Sequence, residues 1–216
     1  MIRKRFGFGA FLASLFNPCL IFVDHGHFQY NAVSLGLSLI ALYYATSERK
    51  RDRIIGCFWF TLAIMYKQME LYHSFAFFFL LIGFALRNPT KYGKLAELAA
   101  YGLAVVITTV AVLSPFLLYS DDPKKQIGQI LFRLFPFGRG LFEDKVANIW
   151  CTLHTVFKIR NRLDHASQLK LATCCTLLFS IIPCLKLLKC QKPASMVNAL
   201  AASSLAFFLF SFQGMN

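Results

Sequence analysis

Apolar residues run along the chain in long blocks, at 6–23, 31–46, 54–66, 71–86, 95–119, 146–157, 168–188 and 195–213, with short polar stretches between them. Blocks of this length predict helices, and their number predicts an all-α, polytopic transmembrane helical bundle. A helix needs roughly 20 residues to cross a hydrocarbon core about 30 Å thick. Blocks 95–119, 168–188 and 195–213 meet that length, and the rest are short or interrupted. Pro18 breaks the first in "FNPCL", and "KQME" separates 54–66 from 71–86. Broken helices at membrane depth must line protein or a water-filled cavity, because unsatisfied backbone groups in lipid cost several kcal/mol each. The breaks therefore point to a site.

The chain is expected to form one multi-pass membrane domain over 1–216, with a polar loop at 120–146. Within that loop, "KKQIGQILFRLFPF" places Ile127, Ile130, Leu131, Leu134 and Phe135 at helical spacing, with Lys124, Lys125 and Arg133 between them. That pattern suits an amphipathic helix lying in the membrane interface over 124–135. Pro136, Gly138 and Gly140 then end it.

Composition supports the membrane reading. Hydrophobic residues make up 57% of the 216, Phe alone numbers 24, and only 15% are charged. Soluble domains carry about 25% charged residues. The net charge of +13 follows from basic cytoplasmic loops and does not call for a nucleic-acid partner. Basic residues before the first apolar block, "MIRKRFGFGAFLASLF", resemble a signal anchor, and no small-residue cleavage site precedes "NPCLIF". The seven cysteines (19, 57, 151, 174, 175, 184 and 190) form no C-x-x-C pair. Several sit in apolar blocks, where they act as small hydrophobes.

Charge also sets orientation. "SERKRDR" (47–53), "RNPTKYGK" (87–94) and "KIRNR" (158–162) are expected on the cytoplasmic side. Counting crossings from there puts "DHGHFQYN" (24–31), "KQMELYH" (67–73) and the loop at 121–145 together on the opposite side. The same count sends "KLLKCQK" (186–192) there too, against the charge rule.

Each polar stretch has a functional and a structural reading. In "DHGHFQYN", Asp24, His25, His27, Gln29 and Asn31 suit hydroxyl groups, while Phe28 and Tyr30 offer flat faces for a sugar ring. Structurally, Asn31 is expected to cap the following helix, with Asp24 stabilising its end by charge. Asp24, His25 and His27 fall short of a metal set, and no metal is expected. In "KQMELYH", Lys67, Glu70 and His73 are expected on one helical face. Lys67 is a candidate to grip a phosphate, and Glu70 and His73 to orient it or touch substrate. The competing reading is a self-neutralising Lys67–Glu70 pair. In "RLFPFGRGLFEDKVANIW", Arg133 and Arg139 suit phosphate or pyrophosphate, and Glu143 is a further candidate for substrate. The alternative there is a solvated loop. Nucleotide-binding glycine loops and the G-x-S-x-G elbow are absent from the sequence.

The three motifs "DHGHFQYN", "YKQMELYH" and "RLFPFGRGLFEDKVANIWC", in this order, resemble the endoplasmic-reticulum dolichyl-phosphate-glucose glucosyltransferases of asparagine-linked glycosylation. Their first-glucose branch fits better than the second-glucose branch, which is not expected to carry "KQMELYH". The resemblance implies part of a C-type glycosyltransferase fold. It implies transfer of glucose from dolichyl-phosphate glucose to dolichyl-diphosphate oligosaccharide, forming an α-1,3 bond with inversion, on the luminal side and with no cofactor. It also implies an enzyme about twice this length, whose catalytic carboxylate lies in a first luminal loop. The chain is therefore expected to be an internal part of a longer protein, with Asp24 as the one acid nominated to stand in as base. Two other readings compete: a lipid or solute transporter, whose site would open to both faces, and an inactive truncated product.

Overall fold

A computed structural model describes residues 12, 16–134, 149–158 and 164–210. Among the described residues every regular element is helical. Helix α1 (Pro18–Ile21) is a single turn, started by Asn17, whose side chain accepts from Cys19 N at 3.0 Å, and by Pro18 at the first helical position. A π turn, Phe22–Gly26, continues it. Then follow α2 (Asn31–Ala45), α3 (Lys50–Tyr66), a 3-10 turn at Gln68–His73, α4 (Ser74–Leu86) and α5 (Lys91–Leu118). Beyond these come α6 (Pro123–Leu134), α7 (Ile149–Phe157), α8 (His165–Leu185) and α9 (Pro193–Phe210).

Among the described residues four stretches are long and apolar enough to cross a membrane: Gln68–Leu86, Lys91–Leu118, Ala166–Leu188 and Pro193–Phe210. The first was too short by sequence, and the 3-10 turn running straight into α4 lengthens it. The core gathers around α4, where Phe77 and Leu80 pack with Ala41 and Ala45 of α2, Phe60 of α3 and Met196 of α9. Phe60 and Phe77 stack with ring centres 3.8 Å apart. Gly56 lets α3 close on α2, since a β-carbon there would lie 2.7 Å from Ala45 N. Small residues at such contacts are how membrane helices approach one another. The outward faces are apolar, with Leu39, Leu103, Val106, Leu178 and Leu205 exposed. Lipid covers a surface of this kind, and water does not.

The bundle has two polar ends. At one, Arg53 is buried and makes four hydrogen bonds. Its guanidinium donates to Glu97 at 2.6 Å, to the Tyr101 hydroxyl at 2.6 Å and to the carbonyls of Ser47 and Glu48 at 2.9 and 2.8 Å. Arg87 pairs with Glu48 at 3.0 Å nearby. The basic loop expected at 47–53 is shorter than its sequence suggests: α3 starts inside it at Lys50, and Arg53 turns inward because Glu97 and Tyr101 of α5 meet it.

The opposite end carries Asp24, Lys67, Glu70 and His73. The two ends correct the sequence-based crossing count. Leu187 and Gln191 lie against Gly83, one turn before Arg87, at the Arg53 end. Ser203 and Ser204 of α9 reach Tyr72 and His73 at the other. So 186–192 sits with the basic loops, in keeping with the charge rule, and α8 begins at the opposite end. The error came from 146–157. Helix α7 has 9 residues, or about 13 Å of rise, too short to cross. Its Trp150 indole donates to Phe210 O at 2.8 Å, holding α7 beside the Lys67 end of α9. Among the described residues α7 makes no crossing, and the expectation for 158–162 falls on a stretch that is mostly not described. Residues 159–163 themselves lie outside the described residues.

Candidate functional site

The site begins where α1 gives way to α2. Asp24 is buried, and its two oxygens accept from Asn31 N at 2.7 Å and Ala32 N at 2.5 Å. These are orphan donors of the first turn of α2. The cap is therefore the Asp24 side chain, not Asn31, which becomes the first helical residue. The reason is Tyr30, which takes a left-handed conformation (φ 54°) and starts the helix without a cap of its own. Phe28 also has positive φ, at 53°. Two bulky residues in this region are unusual, and such strain clusters at functional segments. The bends leave His25, His27, Phe28, Gln29 and Tyr30 exposed along one short rim.

Asn31 is the hub of this rim. Its amide nitrogen donates to Gln29 Oε1 at 3.3 Å, and its side-chain oxygen accepts from Lys67. Lys67 also reaches Gln29 O, at 3.4 Å. Lys67 is extended between α3 and the 3-10 turn, so it does not share one helical face with Glu70 and His73 as its spacing predicts. Nor does it pair with Glu70. Among the described residues Lys67 forms no ion pair. Its charge is held by two neutral oxygens.

Glu70 is engaged elsewhere. It is buried, and it accepts from Ser34 at 2.7 Å, from Ser38 at 2.5 Å and from His73 Nδ1 at 3.0 Å. His73 Nε2 lies 2.9 Å from Ser204 Oγ on α9. Ser203 donates to Tyr72 O, and Tyr72 stacks on Phe207 at 4.5 Å. Sequence reasoning missed Ser34, Ser38 and Ser204. The signal for the first two was available: with Asn31 they fall at i, i+3 and i+7, on one face of α2. The signal for Ser204 was weaker, a serine pair in an apolar helix that needs partners.

The other predicted residues are not brought into this cluster by the described structure. Arg133 lies in the last turn of α6, while Arg139 and Glu143 lie outside the described residues. The helix expected at 124–135 is observed as α6, with Ile127 and Phe132 exposed. Among the described residues no three His, Cys, Asp or Glu side chains are grouped to hold a metal ion.

A helical bundle with lipid-facing walls, and a lysine held by neutral oxygens beside exposed aromatic rings at one end, defines a multi-pass membrane protein with a polar cluster at one end of its bundle. The sequence profile of the ALG6, ALG8 glycosyltransferase family matches residues 3–214, and the chain belongs to that family. It is 41% identical over 200 residues to the probable dolichyl pyrophosphate Man9GlcNAc2 alpha-1,3-glucosyltransferase of Schizosaccharomyces pombe, covering 92% of this chain and 38% of the relative. It is 42% identical over 202 residues to the Gallus gallus dolichyl pyrophosphate Man9GlcNAc2 alpha-1,3-glucosyltransferase, covering 94% and 38%. The probable Dictyostelium discoideum enzyme of the same name is 38% identical over 211 residues, with 94% and 39% covered. The chain thus spans about 38% of the length of the curated relatives it matches.

Proposed function

We propose that this chain is part of an enzyme that transfers glucose from dolichyl-phosphate glucose to the mannose-rich oligosaccharide on dolichyl diphosphate. The bond formed is α-1,3 with inversion, and the site faces the lumen of the endoplasmic reticulum. The names of the relatives support the acceptor and the linkage. The donor rests on family resemblance and on one observation, the Lys67 ammonium held by neutral oxygens at the end of the bundle.

The chemistry needs such a cation. An acceptor hydroxyl attacks the anomeric carbon, the bond from that carbon to the phosphate oxygen breaks, and the electron pair leaves on the lipid phosphate. A base takes the hydroxyl proton. Lys67 stabilises the negative charge gathering on the departing phosphate, as preorganised cations do in dry sites. Arg133 and Arg139 are assigned the same class of role. His25, His27, Gln29 and Tyr30 form the rim for sugar hydroxyls and ring faces. Asp24 is assigned to hold that rim in place, because both its oxygens are taken by backbone N–H groups.

The test uses microsomes lacking first-glucose transfer, supplied with dolichyl-phosphate glucose. The chain is expressed alone and in a version extended to the length of its relatives. Monoglucosylated lipid-linked oligosaccharide from the extended version is the expected result. No product from either, at normal accumulation, contradicts the proposal.

A further inference from the structure

The residues of "KQMELYH" divide into a lysine held only by neutral oxygens among the described residues and two side chains engaged within the protein. Both oxygens of Glu70 are filled by Ser34, Ser38 and His73, and the side chain is buried. Both ring nitrogens of His73 are filled, one by Glu70 and one by Ser204. Every polar atom of the two side chains already has a protein partner, and Glu70 is buried as well. They join in a single chain, Ser204–His73–Glu70, which ends on α2 through Ser34 and Ser38. Glu70 N in turn donates to Lys67 O at 3.1 Å, so the chain fixes the backbone that carries Lys67. The turn at 67–73 is therefore tied on one side to α2 and on the other to α9, a helix 131 residues away in sequence.

We infer that Ser204, His73 and Glu70 are positioning residues that set where the Lys67 ammonium stands. Ser204 of α9 thereby belongs to the site although it touches no substrate. The inference rests on the assignment of Lys67 to the donor's phosphate. A lysine is a point charge on a flexible stem, and its value to a phosphate depends on where its backbone and its two oxygen partners hold it. Ser204 holds the far end of the chain. Without its hydroxyl, His73 Nε2 loses its partner, and the ring and Glu70 are free to shift.

The experiment compares Ser204→Ala, Ser204→Thr and Lys67→Met in the full-length enzyme, with KM for dolichyl-phosphate glucose and kcat measured separately. Ser204→Ala is expected to raise donor KM and to lower donor kcat/KM roughly tenfold, the scale set by one lost buried hydrogen bond, with the KM for the oligosaccharide acceptor unchanged. Ser204→Thr keeps a hydroxyl and is expected near wild type. If Ser204→Ala fails to accumulate, the Ser34→Ala/Ser38→Ala double variant probes the other end of the chain and is expected to show the same KM increase. Lys67→Met with wild-type donor KM and wild-type kcat overturns the underlying assignment of Lys67. A raised KM for Lys67→Met, beside unchanged KM in the serine variants, overturns the positioning role alone. A Thr variant as impaired as the Ala variant also overturns it, since the hydroxyl would then not be what matters.

Discussion

Lys67 donates to the side-chain oxygen of Asn31, a residue 36 positions earlier, while the backbone nitrogen of Asn31 donates to Asp24 at 2.7 Å. One residue thus links the helix cap to the cation. The start of α2, the strained rim and the lysine form a single unit, and substitutions in it separate a capping acid from a catalytic one.

Asp24→Asn keeps one acceptor oxygen for the first turn of α2, and Asp24→Ala keeps none. Loss of a helix cap costs about 1 kcal/mol. Asp24→Ala should lower the melting temperature in detergent and reduce glucose transfer, with Asp24→Asn between it and wild type on both measures. Asp24→Asn with wild-type melting and abolished transfer would instead make Asp24 the base.

Arg53 and Glu97 form a buried pair whose side chains are each 6% exposed. Removing one partner of such a pair costs about 3–5 kcal/mol, because the other charge is left buried and unmatched. Arg53→Met should therefore lower accumulation and melting temperature sharply. Arg53→Met combined with Glu97→Leu should recover most of the loss. A single variant as stable as wild type would show that the network is solvated.

Gly83 faces Gln191 and the carbonyl of Leu187 so closely that a β-carbon there would overlap both. The Gln191 amide is itself bonded to Leu187 O and Leu188 O at 2.7 and 2.8 Å, so it has no room to yield. Gly83→Ala should destabilise by about 1–3 kcal/mol, the usual cost of overpacking, read as a lower melting temperature. Gly102→Ala, where nothing lies within 4 Å, is the matched control and should be neutral.

The corrected crossing count has its own test. Cys190 lies between α8 and α9, and its thiol is held below the usual thiol range by the Ser195 hydroxyl, the Lys192 N–H and the charges of Lys192 and Lys186. A lowered thiol pKa enlarges the thiolate fraction near neutral pH, and the thiolate is what reacts. With the other cysteines replaced by serine, Cys190 should react with an impermeant maleimide from the same membrane face as Ser47→Cys. Asp164→Cys should react from the opposite face. Cys190 and Asp164→Cys reacting from one face would contradict the fold.

Much of this was legible in the sequence, for identifiable reasons. Charged and amide residues inside an apolar chain stand out, so "DHGHFQYN" and "KQMELYH" were found without the structure. Their geometry was not. A spacing of three suggested one helical face for Lys67, Glu70 and His73, but a 3-10 turn after an extended Lys67 separates the lysine from the other two. Asn31 looked like the cap because cap residues precede apolar runs, yet a left-handed Tyr30 moved the helix start by one residue and gave the role to Asp24. Arg53 was hidden because a basic run reads as solvent-exposed unless its partner is known, and Glu97 lies 44 residues away. Ser204 was hidden because a serine in an apolar helix satisfies itself on its own backbone, as Ser204 also does with Leu200 O at 2.9 Å.

The central claim is that Lys67 holds the phosphate of the lipid-linked donor. The most direct measurement is glucose transfer by the full-length enzyme carrying Lys67→Met, in microsomes lacking the host activity, across a range of dolichyl-phosphate glucose concentrations. At normal protein level, the account predicts at least a tenfold loss of kcat/KM for the donor, with the KM for the oligosaccharide acceptor unchanged. Donor kinetics identical to wild type would contradict it.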